Sequence, residues 1–224
     1  MSILRSAPRL TPMLWRVGSA ARTRCTAYST ANTQHTEETE QPRVLSTVEA
    51  GTAYENQVVE TFNGLGAALE RVGGASDNGI DFCGRWTLPA HRSFHVAGQC
   101  KHYERKKIGP AVIREWDGVM SRQDLDTLGI VVATSGFTPS GVRAALSSAH
   151  PIALVTMASP LLHRSGDSRS TIQGFVWNRA AEPFIGRLVV AKKHYDVNVV
   201  DLDDPAAFSI QLFWDGQPLP MALI

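Results

Sequence analysis

Two short, unbroken apolar runs constrain this chain more than any other feature. Leu128 to Thr134 (LGIVVAT) and Ile152 to Met157 (IALVTM) lack the alternation of a half-buried strand. Each is too short for a core helix and rich in β-branched residues, so each reads as a strand buried on both faces. Between them Thr138-Pro139 opens a predicted helix that runs through Ala149. Two buried strands joined by a helix make a βαβ unit, hence a parallel pair in a sheet covered by helices.

The residues upstream complete such a sheet. Tyr54, Val58, Val59, Phe62 and Leu65 recur at helical spacing and predict a helix from Gly51 to Leu69. Thr52 and Glu55 have the spacing of a capping box. Glu55 also shares a helical face with Val59 and Phe62, so capping and an inward, functional role both stay open for it. Leu69 to Val72 reads as a short strand, and Gly73-Gly74 and Asn78-Gly79 as turns. Two core strands follow, separated by the polar loop Thr87 to Ser93. Gly109-Pro110 then opens a second helix with the apolar stripe Val112, Ile113, Trp116 and Met120. The predicted order is α, β, β, β, α, β, α, β.

The chemistry concentrates in the two core strands. Asp81 interrupts the apolar pair Ile80 and Phe82, and Gln99-Cys100-Lys101 ends the next run. Strand alternation puts Phe94, Val96, Gly98 and Cys100 on one face and His95, Ala97, Gln99 and Lys101 on the other. If the strands pair antiparallel, Asp81, Gln99 and Lys101 converge on one face. A carboxylate, an amide and an ammonium gathered there suggest a metal site for phosphodiester chemistry. The competing reading of Asp81 and Lys101 is a structural ion pair between neighbouring strands.

Composition adds limits. The chain has 224 residues, 43% of them hydrophobic and 19% charged, enough for one folded domain and an appendage. No apolar run approaches the roughly 18 residues of a membrane-spanning helix. Cys25, Cys83 and Cys100 form no CxxC pair, which argues against a zinc site or a redox dithiol. Cys83 and Cys100 fall on opposite faces of the predicted sheet and read as reduced thiols.

Residues 1–36 carry Arg5, Arg9, Arg16, Arg22 and Arg24 and contain no Asp, Glu or Lys. Arginine-rich, acid-poor composition marks a mitochondrial presequence. The alternative is a basic tail that binds nucleic acid directly. The expected division is a presequence at 1–30, a polar linker at 31–45, a catalytic domain at 46–163 and a small β-rich appendage at 164–224. Ser159 to Leu162 begins a short predicted helix. The appendage holds strand-like pieces at Thr171 to Trp177, Arg187 to Tyr195 and Phe208 to Trp214, with turns at Asp201 to Pro205 and Asp215-Gly216. Asn178, His194 and Asp203 read as surface or capping residues.

The set Asp77-Asn78-Gly79-Ile80-Asp81, then Gln99-Cys100-Lys101, a helix, and a buried strand ending in Thr134-Ser135-Gly136-Phe137-Thr138 resembles the Mrr-type restriction endonuclease domain of the PD-(D/E)xK nuclease superfamily. The resemblance covers about residues 50 to 163. With its leader and β-rich tail, the whole chain resembles the fungal mitochondrial family called required for respiratory growth protein 7. The resemblance implies an α/β fold: a restriction-endonuclease-like mixed β-sheet flanked by helices. It implies Asp81, Gln99, Lys101 and Glu55 as the catalytic set, with Asp81, Gln99 and Glu55 holding Mg²⁺, and Asp77 as a weaker candidate. Gln99 departs from the superfamily's usual acid, so Glu55 has to supply the second carboxylate.

The implied activity is metal-dependent cleavage of mitochondrial DNA, in support of DNA maintenance and respiratory growth. The alternative is a non-catalytic nucleic-acid-binding or assembly factor on the same fold. His102, Arg105, Lys106 and Lys107 follow the catalytic strand as candidate phosphate contacts, and Tyr103 is placed to stack on a base or sugar. The tail is a candidate for homodimer formation, substrate contact or partner binding.

Overall fold

The computed structural model of the chain describes residues 45–72, 74, 78–89, 92–159, 172–194 and 208–219. The sequence of elements follows from the apolar pattern. Helix α1 (Thr47–Gly64) leads into strands β1 (Ala67–Arg71), β2 (Phe82–Leu88) and β3 (Arg92–Lys101). Helix α2 (Pro110–Met120), strand β4 (Thr127–Ala133), helix α3 (Pro139–Leu146) and strand β5 (Ile152–Met157) follow. The six-stranded sheet has the order β1-β2-β3-β4-β5-β6, with β6 at Ile172–Trp177. The β3–β4 and β4–β5 pairs are parallel and the others antiparallel, so the sheet is mixed.

The unbroken apolar runs have their explanation in position. β4 is central, and all seven of its residues are buried. One face of the sheet packs Phe82, Phe94, Val96, Ile130 and Val132 against Tyr54, Val58 and Phe62 of α1. The other packs Ala97, Val131, Ala133 and Leu154 against Ile113, Trp116, Val119 and Met120 of α2 and Ala145 of α3. Each Val, Leu, Ile, Phe or Met among them contributes about 1.5–3 kcal/mol on burial. Cys83 pairs with Ala97 on the α2 side while Cys100 packs on the α1 side, and both are free thiols.

Three expectations need correction. α1 runs from Thr47 to Gly64 instead of Gly51 to Leu69: Ser46 is its N-cap and Glu49 completes the capping box, which leaves Glu55 two turns into the helix with no capping role, and Leu69 lies in β1. The third helix stops at Leu146 instead of Ala149, because Ser147 caps it with its backbone N–H on Arg143 and Ala145. Ile172–Trp177, read as part of the appendage, is instead the edge strand of the large sheet, antiparallel to β5.

Beyond β6, a one-turn 3₁₀ helix (Arg179–Ala181) and helix α4 (Glu182–Ile185) lead to a three-stranded antiparallel sheet: β7 (Leu188–His194), β8 (Phe208–Trp214) and β9 (Gln217–Pro218). Its Leu188, Ile210, Leu212 and Trp214 join the same apolar core as α1, so the small sheet is packed onto the domain and not hung from it. Asn178 caps the 3₁₀ turn as expected, but it is buried, not at the surface. Its side chain accepts from Ile152 N and Ala181 N and donates to the carbonyls of Ala145, Ser148 and His150. Among the described residues no helix is long and apolar enough to cross a membrane. The presequence, the turn at 201–205, Asp203 and the His194 side chain lie outside the described residues, as does the stretch 160–162.

Candidate functional site

The site lies where β1, β2 and β3 part. The antiparallel register pairs Phe82 with Gly98, so one step further Asp81 stands opposite Gln99. Asp81 N donates to Gly98 O at 2.8 Å, and Asp81 O accepts from Val72 N at 2.9 Å. There the ladder ends, and the Asp81 side chain takes the place of the next backbone acceptor: Oδ2 accepts the Cys100 N–H at 2.6 Å. The carboxylate is thereby fixed at the mouth between the two strands. The preceding Asn78-Gly79 turn uses two left-handed residues (φ 52° and 82°), a conformation that Asn and Gly tolerate best.

Gln99 is buried, and its Nε2 donates to Gly79 O at 3.0 Å. That bond points the amide along the turn and leaves Oε1 buried with no hydrogen-bond partner among the described residues. Gln99 and Lys101 pair with Val131 and Ala133, whose side chains face α2. Glu55 comes from α1, on the other side of the sheet. Its Oε2 accepts from Arg71 Nε at 2.5 Å, and its side chain is only 18% exposed. Arg71 ends β1 opposite Phe82, so the ion pair holds Glu55 at the same end of the sheet as Asp81. Asp81, Gln99 and Lys101 stand on the paired strands in the register that alternation predicts, and Glu55 reaches the same end of the sheet from the other face.

Cys100 registers this crowding. Burial pushes its thiol well above the usual range, the Asp81 and Glu55 carboxylates push it further, and the Lys101 ammonium partly offsets them. Opposite charges on Asp81 and Lys101 at one end of the sheet suit an interstrand ion pair and a metal site alike, and the two roles differ in how substitution changes the melting temperature. No cluster of three His, Cys, Asp or Glu occurs among the described residues. In donor type, Asp81, Gln99 Oε1 and Glu55 match what a hard divalent ion takes, one or two carboxylates with several waters kept. Asp77 lies outside the described residues.

The basic segment is held along its backbone. Thr134 Oγ1 accepts from Tyr103 N at 3.0 Å and donates to Tyr103 O at 2.7 Å. Ser135 Oγ donates to Lys106 O at 2.5 Å, and Ile108 N to Gly136 O at 2.9 Å. Arg105, Lys106 and Lys107 project from this fixed path into solvent. His102 behaves differently. Its ring packs on Tyr54 at 5.2 Å, its Nε2 is buried with no hydrogen-bond partner among the described residues, and burial pushes its pKa below the usual imidazole range. A neutral, inward imidazole is a weaker phosphate contact than the exposed cations beside it. Periodicity did not identify Arg71; its only sequence signal is a cation at the end of the short strand that faces Glu55.

Residues 49–159 match the Mrr_cat family model, described as restriction endonuclease. The matched span runs from α1 through β5 and contains Glu55, Asp81, Gln99 and Lys101. The chain is 31% identical over 144 residues to a Schizosaccharomyces pombe protein named "Uncharacterized protein C824.03c, mitochondrial". That alignment covers 63% of this chain and 56% of the relative, so the chain spans just over half the relative's length. Among solved structures, "MspJI Restriction Endonuclease in Complex with 27-mer Oligonucleotide" aligns over 46% of this chain and 25% of its own, with 22% identity and a TM-score of 0.37.

Proposed function

We propose that this chain is a Mg²⁺-dependent nuclease that cleaves DNA in mitochondria and serves mitochondrial DNA maintenance and respiratory growth. The observation that carries the reading is Gln99 Oε1, a buried carbonyl oxygen with no hydrogen-bond partner among the described residues, next to Asp81. An orphaned buried acceptor costs about 1–3 kcal/mol, a cost that a hard cation bound there would relieve. Asp81, Gln99 and Glu55 are the residues that would hold the ion. When bound, Mg²⁺ stabilises the charge that develops on the phosphate and lowers the pKa of an attacking water.

The chain's own groups do the rest. The Cys100 N–H fixes the Asp81 carboxylate and the Gly79 carbonyl fixes the Gln99 amide, so both oxygens are set before substrate arrives. Lys101 orients the attacking water or stabilises the pentacovalent phosphate. A second reading, a nucleic-acid-binding or assembly factor without turnover, is favoured by one observation: Arg71 already engages the Glu55 carboxylate. Cleavage assays with and without Mg²⁺ on plasmid, linear and single-stranded DNA, with RNA as control, separate the two. Metal-dependent DNA cleavage supports the first, and binding without cleavage supports the second.

Two further outcomes are expected. Replacing Arg105, Lys106 and Lys107 together by Ala weakens DNA binding for all sequences alike. It also flattens the salt dependence by roughly 2 to 3 units of slope, because each lost phosphate contact releases about one counterion fewer. An unchanged slope would make the segment an ordinary solvated loop. A fluorescent fusion of residues 1–45 enters mitochondria, as the arginine-rich, acid-free leader and the name of the fission-yeast relative suggest; a diffuse cytosolic signal would return the leader to the role of a basic arm.

A further inference from the structure

From the mounting of Tyr103, we infer that the site takes DNA in which a base beside the scissile phosphate is unpaired, and that the Tyr103 ring stacks on that base. This rests on the nuclease reading above. Tyr103 lies two residues past Lys101 and two before Arg105, and it is 41% exposed. A single hydroxyl, Thr134 Oγ1, binds both its backbone N–H and its carbonyl. Thr134 N in turn donates to Lys101 O at 3.2 Å. The backbone carrying the ring is therefore tied to the strand that carries Lys101. Fixing the backbone beneath an exposed aromatic removes part of the ordering cost of using it in binding.

The surroundings narrow what the ring meets. Arg105, Lys106 and Lys107 are exposed around it, with Glu104 the one acidic residue of the loop, and His102 turns inward. Three cations beside an aromatic platform match a strand with phosphates on one side and bases on the other. A continuous duplex hides its base faces in the stack, so the ring finds a partner only where a base is unpaired: in a single strand, a flap, or a displaced base.

The test is binding by the full-length chain in EDTA, read by anisotropy of a fluorescein-labelled oligo(dT) strand and of a blunt hairpin duplex. Tyr103→Ala is expected to weaken single-strand binding roughly tenfold, the effect of losing one stacked base, and to leave duplex binding unchanged. Tyr103→Phe keeps the ring and should bind like the wild type, while Thr134→Val releases the clamp and should fall between. A 2-aminopurine base in the strand should be quenched by the wild type and not by Tyr103→Ala. Equal losses on both substrates, or a Tyr103→Phe variant as weak as Tyr103→Ala, would overturn the stacking role. Wild-type binding to both substrates with Tyr103→Ala unchanged would remove this inference and leave the nuclease reading standing. A wild type that binds neither would overturn this inference, while the nuclease reading stands or falls on the Mg²⁺-dependent cleavage assay.

Discussion

Asp81→Asn is expected to reduce Mg²⁺-dependent cleavage by about a thousandfold or more, since each 1.36 kcal/mol of lost transition-state stabilisation is a factor of ten and a catalytic metal contributes several. The fold should survive. The amide oxygen of the substituted side chain can still accept the Cys100 N–H that Asp81 Oδ2 accepts now. Removing one of two neighbouring carboxylates also relieves repulsion, so without metal the variant should melt at the wild-type temperature or above it. The wild type should be stabilised by added Mg²⁺ through mass action, and Asp81→Asn should lose that response. Lys101→Ala should lose cleavage but keep the Mg²⁺-dependent rise in Tm, because Asp81, Gln99 and Glu55 remain. A structural ion pair would behave otherwise: either variant would strand a charge and melt early with or without metal. Melting temperatures of the wild type and both variants across a Mg²⁺ titration tell the two roles apart. A wild type with neither a Mg²⁺ response nor cleavage would favour the binding-factor reading.

What could be read from the chain depended on how local its cause was. β4 and β5 were legible because a strand covered on both faces has to be apolar throughout, and Leu128 to Ala133 shows it. The helix starts at Gly109-Pro110 and Thr138-Pro139 were legible from capping chemistry alone. The start of α1 was misread because two capping-box patterns compete within ten residues, and Ser46 with Glu49 satisfies the bond geometry that Thr52 with Glu55 only mimics in spacing. β6 reads as part of the appendage because nothing in Ile172–Trp177 encodes its partner; the pairing with β5 is long-range. At the site, the approach of Asp81 to Gln99 followed from pairing two adjacent strands. The arrival of Glu55 from the opposite face, and its tie to Arg71, depend on how α1 lies across the sheet, which spacing does not encode. His102 counts as a cation in the sequence, and only its packing on Tyr54 makes it a half-buried ring with a lowered pKa.

The second large effect is expected from Gly98→Ala, a change of one methyl group in the strand that carries the site. A Cβ at Gly98 would fall inside the ring of Phe82. That ring has little room to retreat, since Phe82 is fully buried and packs on Phe62, which is edge-on to Trp86. Overpacking of this kind costs typically 1–3 kcal/mol; about 2 kcal/mol would lower Tm by roughly 4–8 °C in a chain this size. Elsewhere in a strand the same substitution stabilises by about 0.5–1 kcal/mol through backbone entropy, so the sign itself is diagnostic. The displacement also reaches the chemistry. Phe82 is the neighbour of Asp81, and Gly98 O accepts the Asp81 N–H that sets the carboxylate at the strand mouth. Cleavage should therefore fall further than the lost stability explains, even well below the variant's melting temperature. The ring atoms that would clash are Cε1, Cε2 and Cζ, which leucine lacks. Phe82→Leu should consequently absorb the added methyl, and the double variant should be more stable than the sum of the single effects, a coupling expected of residues in direct contact. Strict additivity in the melting temperatures of the wild type, both single variants and the double variant would show that the ring is not what Gly98 makes room for.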